Sequence, residues 1–192
     1  MKALHFITCL AAAIVLYSCS ESVTKQYPLL IPEYEPTPID LGLSVKWAEV
    51  NVGAEYAFDS GYRFFYGSIT PTKDKSTNKY NYRPGYDYSI AGDIEHDPAT
   101  KYWGENWRMP TEAQFQELRE NCTFTPAASN SVMVTGPNGN CIYIPNLVYF
   151  WTASTNSHGT PLCYGINGYY LFRDATTTPD HGYFIRPIYI GD

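Results

Sequence analysis

The sequence predicts an α+β domain built from many short strands, few helices and long loops. Apolar and aromatic residues gather in short β-type runs that end at turn residues, whereas helical periodicity is scarce. Pro137-Asn138-Gly139 and Asn167-Gly168 are strong turn signals between such runs. This distribution is typical of the α+β class. The predicted strands cover residues 44–52, 62–67, 132–135, 141–145, 148–153, 169–172 and 183–190.

The clearest helix signal begins at Thr111, which is a natural N-cap. Gln114, three positions later, completes a capping box, in which each side chain satisfies a free backbone donor of the other residue. Pro110 disfavours helix upstream, so the start is sharply placed. Phe115 and Leu118 form an i, i+3 pair, which predicts one apolar stripe that docks the helix on the domain.

Trp107 comes shortly before this helix and is expected to pack beneath it, as a structural anchor rather than a ligand platform. A second, brief helix is predicted from Asp97, an N-cap residue, through about residue 102. Pro98 supports this start because proline is favoured at the first helical position.

Residues 1–18 are predicted to be a lipoprotein signal peptide. Lys2 supplies a basic start, and residues 10–16 form an apolar run that is too short to span a bilayer. The junction Leu16-Tyr17-Ser18-Cys19 resembles a bacterial lipobox, in which the chain is cut before the cysteine and the cysteine is lipidated. This resemblance implies a lipid anchor at Cys19 in the outer membrane, with the domain periplasmic or surface-exposed. The alternative is an ordinary secretory signal with an incidental cysteine.

Residues 19–38 are predicted to form a proline-rich tether. Frequent proline keeps such a segment extended and semi-rigid, so at about 3 Å per residue it would hold a domain roughly 50–60 Å from a membrane. Residues 39–192 are then expected to form one domain, because no later change in composition suggests a second. A domain of that size buries about 70% of its unfolded-chain surface and needs no disulfides to fold.

The charge of the chain argues against some partners. The formal net charge is −6, and removal of the signal would take away Lys2, its only charged residue. The remaining chain is acidic. It is therefore a poor candidate for binding nucleic acid or for docking on anionic lipid through its surface.

Several motifs follow one another along the domain. They are Asp40-Leu41-Gly42-Leu43-Ser44-Val45-Lys46-Trp47-Ala48, Asn51-Val52-Gly53-Ala54, Trp107-Arg108-Met109-Pro110-Thr111, Thr135-Gly136-Pro137-Asn138-Gly139-Asn140 with Ile142-Tyr143-Ile144-Pro145, Phe150-Trp151-Thr152-Ala153-Ser154, and Gly182-Tyr183-Phe184-Ile185-Arg186-Pro187-Ile188. In this order they resemble the Fibrobacter succinogenes major paralogous domain. The resemblance implies a variant of the C-type lectin-like fold, which is common on lipoproteins of the Bacteroidetes group.

Most of these motif residues are expected to pack, so the resemblance implies a fold and an address rather than a ligand. The sequence departs from the family at two places. The usual Tyr-Trp-Ser-Ser is Phe150-Trp151-Thr152-Ala153 here, and residues 62–67 lack the usual Trp-Gly. The structural residues that the motifs identify are Trp47, Trp107, Arg108, Pro110, Thr111, Trp151 and Arg186.

The cysteines predict no catalytic site. Cys122, Cys141 and Cys163 follow the signal, and three cysteines in an oxidising compartment permit one disulfide and a spare thiol. Enzymes on related folds that make formylglycine use a reactive cysteine pair. Nothing around Cys141 or Cys163 resembles that site.

The other residue types predict neither a metal site nor a cofactor. His96, His158 and His181 are isolated, without metal-ligand spacing, and no serine lies in a nucleophile-elbow context. The sequence also lacks the Glu-Pro-Asn or Gln-Pro-Asp loop and the Trp-Asn-Asp motif that bind calcium in true C-type lectins. Asn138 and Asn140 are therefore assigned to hairpin geometry rather than to calcium binding.

Tyrosine is the remaining signal. The chain has 18 tyrosines, and they are densest in residues 79–88. Pro84-Gly85 predicts a tight turn whose flanks pair, with Tyr80 and Tyr82 on one face and Tyr86 and Tyr88 on the other. These four are the candidate ligand-binding residues, because tyrosine offers rigid contact area and a hydroxyl. In the alternative interpretation they attach a long loop to the core.

Three classes of function remain open. A lipid-anchored, non-catalytic binding module for glycan or protein is favoured, and it would present an exposed, concave aromatic patch. A structural component of the cell surface, associated with fimbriae or a surface layer, is the alternative. It would offer an exposed edge strand or an extra terminal strand. An enzyme, the least favoured class, would need a cleft that holds an acid, base or thiol with a shifted pKa.

Overall fold

The computed structural model describes residues 36–77, 79–174 and 177–192. The predicted signal peptide, the lipidation site Cys19 and the tether up to residue 35 lie outside the described residues. Pro38, which the sequence assigned to the tether, belongs to the first strand of the fold. Within the described ranges, no helix is both long and apolar enough to cross a membrane.

Twelve short strands and two helices make up the described chain. In order they are β1 Pro38–Ile39, β2 Lys46–Ala48, β3 Arg63–Phe64, β4 Pro71–Thr72, α1 Pro98–Trp103, β5 Trp107–Arg108, α2 Glu112–Asn121, β6 Thr123–Ala127, β7 Ser131–Thr135, β8 Cys141–Pro145, β9 Tyr149–Thr155, β10 Pro161–Asn167, β11 Tyr170–Asp174 and β12 Ile188–Tyr189. The result is a mixed, sheet-rich fold with two short helices and small antiparallel sheets, as expected of the α+β class.

The strands that the structure describes form four small sheets. Their strand orders are β1-β2-β12-β5, β11-β10-β9, β6-β7-β8 and β3-β4. In the first of them β12 lies between β2 and β5, so residues near position 188 pair with two much earlier segments. The predicted turns at Pro137-Asn138-Gly139 and Asn167-Gly168 are confirmed, because they join β7 to β8 and β10 to β11.

Helix α2 begins as its sequence predicts. The Thr111 hydroxyl accepts a hydrogen bond from the Gln114 amide at 3.4 Å, and the Gln114 side chain accepts one from the Thr111 amide at 2.7 Å. This reciprocal pair is the predicted capping box. Phe115 and Leu118 are fully buried, so the predicted apolar stripe is the face on which the helix packs.

Trp107 was predicted to pack beneath α2, but it does not do so. Trp47 occupies that position instead. The rings of Trp47 and Phe115 meet edge-on at 5.2 Å, whereas Trp107 meets Tyr189 at 5.0 Å. The register explains the difference, because residues directly opposite one another across a sheet share a face. Trp107 lies opposite Tyr189 and Trp47 lies opposite the preceding residue, Ile188, so the two tryptophans are on opposite faces.

Helix α1 begins at the predicted cap. The Asp97 carboxylate accepts hydrogen bonds from the amides of Ala99 and Thr100 in the first turn, at 2.8 and 3.3 Å. Its second oxygen accepts bonds from the amides of Gly92 and Met109, each at 2.9 Å. One buried carboxylate therefore ties the helix start both to the preceding loop and to the segment that follows β5.

Two clusters of buried side chains form the core. One surrounds Trp47 and Phe115, and the other surrounds Trp107 and Trp151. The Trp151 indole N–H donates to the Phe64 carbonyl at 2.8 Å, which satisfies its polar atom inside the second cluster.

The asparagine side chains of the β7–β8 turn form hydrogen bonds to another part of the chain. The side-chain amides of Asn138 and Asn140 both donate to the Asp40 carbonyl, at 2.9 and 2.8 Å. Gly136 permits this approach, since a Cβ on it would lie 2.0 Å from the Leu41 carbonyl oxygen. The predicted hairpin role of Asn138 and Asn140 is thus confirmed, and the turn also fastens the start of the fold.

Several strands differ from their predicted bounds. The expected strands at 44–52, 62–67 and 183–190 shrink to β2, β3 and β12, of three, two and two residues. Strands β6 and β10 were missed, as were the two-residue strands β1, β4 and β5. Strand β10 is central in its sheet and almost wholly buried, so it shows no alternation of apolar and polar residues. Strand β6 is a mostly exposed edge strand that contains Pro126, and proline within a run argues against a strand prediction.

Candidate functional site

The predicted tyrosine hairpin does not form. Residues on either side of Pro84-Gly85 do not pair with each other, and the later flank instead runs along β9. The Asp87 amide donates to the Asn156 carbonyl, and the Ile90 amide donates to the Ala153 carbonyl. The reason is that β9 pairs with β10 along only one edge, so its other edge offers the loop a ready ladder of backbone partners.

Tyr80 and Tyr82 attach the loop to the domain. The Tyr80 ring stacks on Phe65 at 5.2 Å, and burial raises the pKa of its hydroxyl to about 12. The Tyr82 ring stacks on His96 at 4.4 Å. It also covers Gly67 so closely that a Cβ there would lie 2.2 Å from the ring. For these two residues the alternative, packed interpretation fits the structure.

Tyr86 and Tyr88 remain on the surface, 75% and 45% exposed. Their backbone is held by Thr155, whose hydroxyl donates to the Gly85 carbonyl and accepts from the Tyr88 amide, each at 2.9 Å. The structure therefore divides the four predicted ligand residues into a packed pair and an exposed pair. It does not bring them together in one concave site.

A concave aromatic site lies elsewhere, and we call it the aromatic cleft. It has a volume of about 670 Å³ and is open to solvent. The start of β1, the end of α1, and strands β5 and β12 surround it. Its main walls are Pro36, Pro38, Tyr102, Trp103, Trp107 and Tyr189.

The rings of the cleft are held by contacts with one another. Trp107 is buried at its base, with Trp103 edge-on at 5.4 Å and Tyr189 edge-on at 5.0 Å. The Tyr102 hydroxyl donates to the Ile69 carbonyl at 2.6 Å. The Lys46 ammonium lies 5.7 Å from the centre of the Tyr189 ring. The walls are therefore preformed, and a ligand would not have to order them.

Polar groups border these rings. Glu105 and Asn106 are exposed in the turn between α1 and β5 and line the cleft. The turn is fixed, because the Gly104 amide donates to the Thr100 carbonyl and the Ile190 amide donates to the Asn106 carbonyl. Aromatic walls with a few convergent polar groups are the usual composition of a ligand site.

Sequence reasoning identified only Trp107 among these rings, and as a structural residue. Trp103 stands four positions before it, so the Trp-Gly-Glu-Asn-Trp spacing was a usable signal. Tyr189 joins the cleft only through the pairing of β12 with β5, which no local pattern reveals. A further exposed pair, Tyr56 and Phe58, stacks at 5.6 Å on a surface loop and was also missed.

Apart from Tyr102, whose pKa is raised by burial, the ionisable groups with shifted pKa values lie outside the cleft. Burial raises the pKa of the Asp97 carboxyl, against the four amides that favour its charged form. Burial also raises the pKa of the Cys163 thiol, which keeps it protonated, whereas a reactive cysteine needs a lowered pKa. The side chains of Asp97 and Cys163 therefore make contacts that hold the fold together, and neither of them lines the cleft.

The described ranges contain neither a candidate metal cluster nor a disulfide. No group of three or more histidine, cysteine, aspartate or glutamate side chains there is placed to hold a metal ion. Cys122, Cys141 and Cys163 are free thiols. Burial raises the pKa of Cys122 to about 11, and the nearby Glu117 carboxylate adds to this effect.

Comparison with known proteins identifies no relative. No family model, no curated protein and no solved structure matches the chain. Function is therefore inferred from the geometry of this chain and from its sequence motifs.

Proposed function

We propose that this chain is a lipid-anchored cell-surface binding module that holds a glycan or a protein segment in the aromatic cleft. The observation that carries the proposal is the cleft itself, with Trp103, Trp107, Tyr102 and Tyr189 on its walls. A second, smaller depression beside β2 and β12 has only one aromatic ring in its lining, Tyr189.

The chemistry of the cleft suits both ligand classes. The faces of tryptophan and tyrosine rings take up the apolar faces of sugars, as well as proline and aliphatic side chains. Glu105 and Asn106 at the border offer hydrogen-bonding groups to hydroxyls or to a peptide backbone. A volume of about 670 Å³ lies within the range of ligand pockets, roughly 300–1,000 Å³.

A non-catalytic role is part of the proposal. The carboxyl of Asp97 and the thiol of Cys163, whose pKa values burial raises, do not line the cleft. Asp97 caps α1, and the Cys163 thiol lies in the middle of a sheet, near the Asp174 carbonyl. Both side chains are fully buried, which supports a structural role for them.

The fold type and the cellular location are part of the same proposal. We infer a C-type lectin-like domain of the Fibrobacter succinogenes major paralogous type, anchored through Cys19 in the outer membrane. The inference is supported by contacts between separate motifs, such as Asn138 with Asp40 and Arg186 with Asn51. Pro36 and Pro38, the last two prolines of the segment predicted as a tether, line the cleft.

The assembly alternative is less well supported. Strand β12 lies between β2 and β5, so it is not a spare terminal strand. Strand β6 has a free edge within its three-stranded sheet, but it contains Pro126, which lacks a backbone donor for an incoming strand. Strands β8 and β11 are also edge strands of their sheets, so it is the aromatic cleft, rather than a lack of strand edges, that favours ligand binding.

A glycan array probed with a soluble form of the protein tests the proposal. This form should begin at residue 20, because a start at residue 39 would remove Pro36 and Pro38 from the cleft. Replacing Trp103 by Ala should weaken binding by 1 kcal/mol or more. The matched control is Tyr86→Ala, which removes an exposed ring remote from the cleft and should leave binding unchanged.

If the array shows no ligand, a pull-down from outer membranes with the same variants covers protein ligands. Weaker binding by the Tyr86→Ala variant and normal binding by the Trp103→Ala variant would move the site to the tyrosine loop. If a ligand is identified and both variants bind it as strongly as the parent protein does, the aromatic cleft is not the binding site.

A further inference from the structure

A second exposed surface is formed by three large side chains, which we call the apolar tip. Leu147, Tyr169 and Tyr170 are 67%, 74% and 53% exposed. Leu147 lies in the turn from β8 to β9, and the two tyrosines lie at the turn from β10 to β11. None of them belongs to the aromatic cleft.

Backbone hydrogen bonds bring three turns together at this tip. The Asn146 amide donates to the Asn130 carbonyl of the β6–β7 turn at 2.9 Å. The Gly168 amide donates to the Asn146 side chain at 2.8 Å. The Leu147 amide reaches the Ile166 carbonyl at 3.1 Å. The exposed side chains therefore project from neighbouring ends of two sheets.

The tip and the adjoining parts of its strands are without charge, and β11 becomes charged only at its far end, at Arg173 and Asp174. Residues 124–134, 142–151 and 161–172 contain no aspartate, glutamate, lysine, arginine or histidine. The whole chain has 19 acidic and 13 basic residues, so the charges are concentrated elsewhere. A surface of this kind neither attracts nor repels a charged partner, and it can be desolvated without the cost of burying an ion.

The backbone of the tip is also prepared for desolvation. The amides of Asn146, Leu147, Gly168 and Tyr169 all donate to acceptors within the protein. In a bilayer, an unpaired backbone amide costs several kcal/mol, so loops that enter it need internal partners. A protein partner could supply such bonds itself, whereas lipid chains cannot.

Leu147 is held in an unusual conformation. Its φ is 58°, in the left-handed region, which a branched side chain such as leucine rarely adopts. A glycine or asparagine would be less strained in this turn. The position thus combines backbone strain with an exposed apolar side chain, as sites of contact often do.

We propose that the apolar tip docks on a lipid bilayer with zwitterionic headgroups. Leu147 enters the apolar layer, and Tyr169 and Tyr170 lie at the level of the headgroups, where tyrosine is enriched. Neutral lipid is the fitting surface, because the acidic chain as a whole would be repelled by an anionic one. The proposal does not depend on a ligand in the cleft. It gives an anchored domain a fixed orientation.

The test uses the full chain with vesicles of phosphatidylcholine and phosphatidylethanolamine, and local hydrogen exchange as the readout. A local readout is needed because the apolar run at residues 10–16 is expected to bind vesicles as well. We expect vesicles to slow exchange at residues 146–149 and 167–171. Each of Leu147→Ser, Tyr169→Ser and Tyr170→Ser should reduce the docked population by about tenfold.

Two control variants sharpen the test. Tyr86→Ser removes an exposed tyrosine elsewhere and should leave the protection intact. Leu147→Gly relieves the left-handed strain while it removes the side chain, so it should raise the melting temperature and still reduce protection. Loss of protection with a raised melting temperature cannot come from unfolding.

Three outcomes would overturn the proposal. The first is no protection of the tip with neutral vesicles. The second is protection only with anionic vesicles, which would indicate another, charged surface. The third is protection without vesicles that grows with protein concentration, which would identify the tip as a contact between copies of the chain.

Discussion

The Arg186 side chain donates a hydrogen bond to the Asn51 side chain at 2.7 Å, across 135 positions of sequence. The same guanidinium donates to the carbonyls of Ala48 and Tyr143, at 3.0 and 2.9 Å. It is fully buried, and burial lowers its pKa from the ordinary value, with Glu49 acting in the opposite direction. One side chain thus connects three of the sequence motifs through neutral oxygen acceptors.

Replacing Arg186 by Lys should lower the free energy of unfolding by about 3 kcal/mol, because lysine cannot reach all three acceptors in a planar fork. Denaturant unfolding measures the change. Arg173→Lys is the matched control, since Arg173 is exposed and pairs with Glu112 at the surface. That variant should stay within about 0.5 kcal/mol of the parent. Equal stability of the Arg186 variant would show that the three bonds contribute little.

The four loop tyrosines should separate into two pairs in thermal melts. Tyr80→Ala and Tyr82→Ala each remove a ring that stacks on a partner, Phe65 or His96, and should cost about 1–3 kcal/mol. Tyr86→Ala and Tyr88→Ala should stay within about 0.5 kcal/mol of the parent. Strong destabilisation by all four would mean that the whole loop is packed and would remove it as a binding surface.

Trp107→Ala should cost about 3–5 kcal/mol, as for other buried aromatic side chains. The ring touches both Trp103 and Tyr189, so the loss would also loosen the aromatic cleft. Trp103→Ala is the comparison, and its cost should be smaller because Trp103 is only half-buried. A melting temperature that Trp107→Ala leaves unchanged would contradict its place at the base of the cleft.

Asp93 should make stability depend on pH in the acid range. Its hydrogen bond with His96, together with the Glu95 amide, lowers the pKa of the Asp93 carboxyl below the ordinary 3.8. A lowered folded-state pKa gives stabilisation that is present above pH 3.8 and is lost as pH falls through the folded value. Asp93→Asn should therefore lower the melting temperature at pH 6, with the difference shrinking below pH 3.8. A constant difference across this range would refute the assignment.

Cys19 is expected to carry the lipid anchor. Cys19→Ser should leave the precursor uncleaved by the lipoprotein signal peptidase and without label from a radioactive fatty acid. Cys9→Ser, within the predicted signal, is the control and should be labelled as the parent is. Continued labelling of the Cys19 variant would show that the anchor is not at this residue.

What the sequence predicted well is local in origin. The caps of α1 and α2 depend on residues within four positions of each other, so Asp97, Thr111 and Gln114 could be identified without tertiary information. The hairpin turns at Asn138-Gly139 and Asn167-Gly168 follow from glycine and asparagine chemistry for the same reason. Strand β8 was predicted with its observed bounds.

What the sequence missed depends on distant partners. The sheet face on which Trp107 lies is set by its register with Tyr189. The aromatic cleft also includes Pro36, which is distant from Trp107 in the sequence. The tyrosine loop followed β9 because a free strand edge was available, which Pro84-Gly85 does not encode. The density of tyrosine in the sequence does not distinguish structural tyrosines from candidate ligand contacts. Their burial or exposure in the fold does.

The position of β12 has a consequence for how the protein is made. Strands β2 and β5 do not pair with each other. Strand β2 has β1 on one side, but its other edge, and strand β5 as a whole, gain a partner in this sheet only when residues 188–189 arrive between them. A nascent or partly exported chain that lacks this segment cannot close the sheet and leaves two strand edges unpaired. We therefore expect closure of this sheet to wait for the segment around residue 188. In the export that we propose, such a delay would keep this part of the chain open while it crosses a membrane.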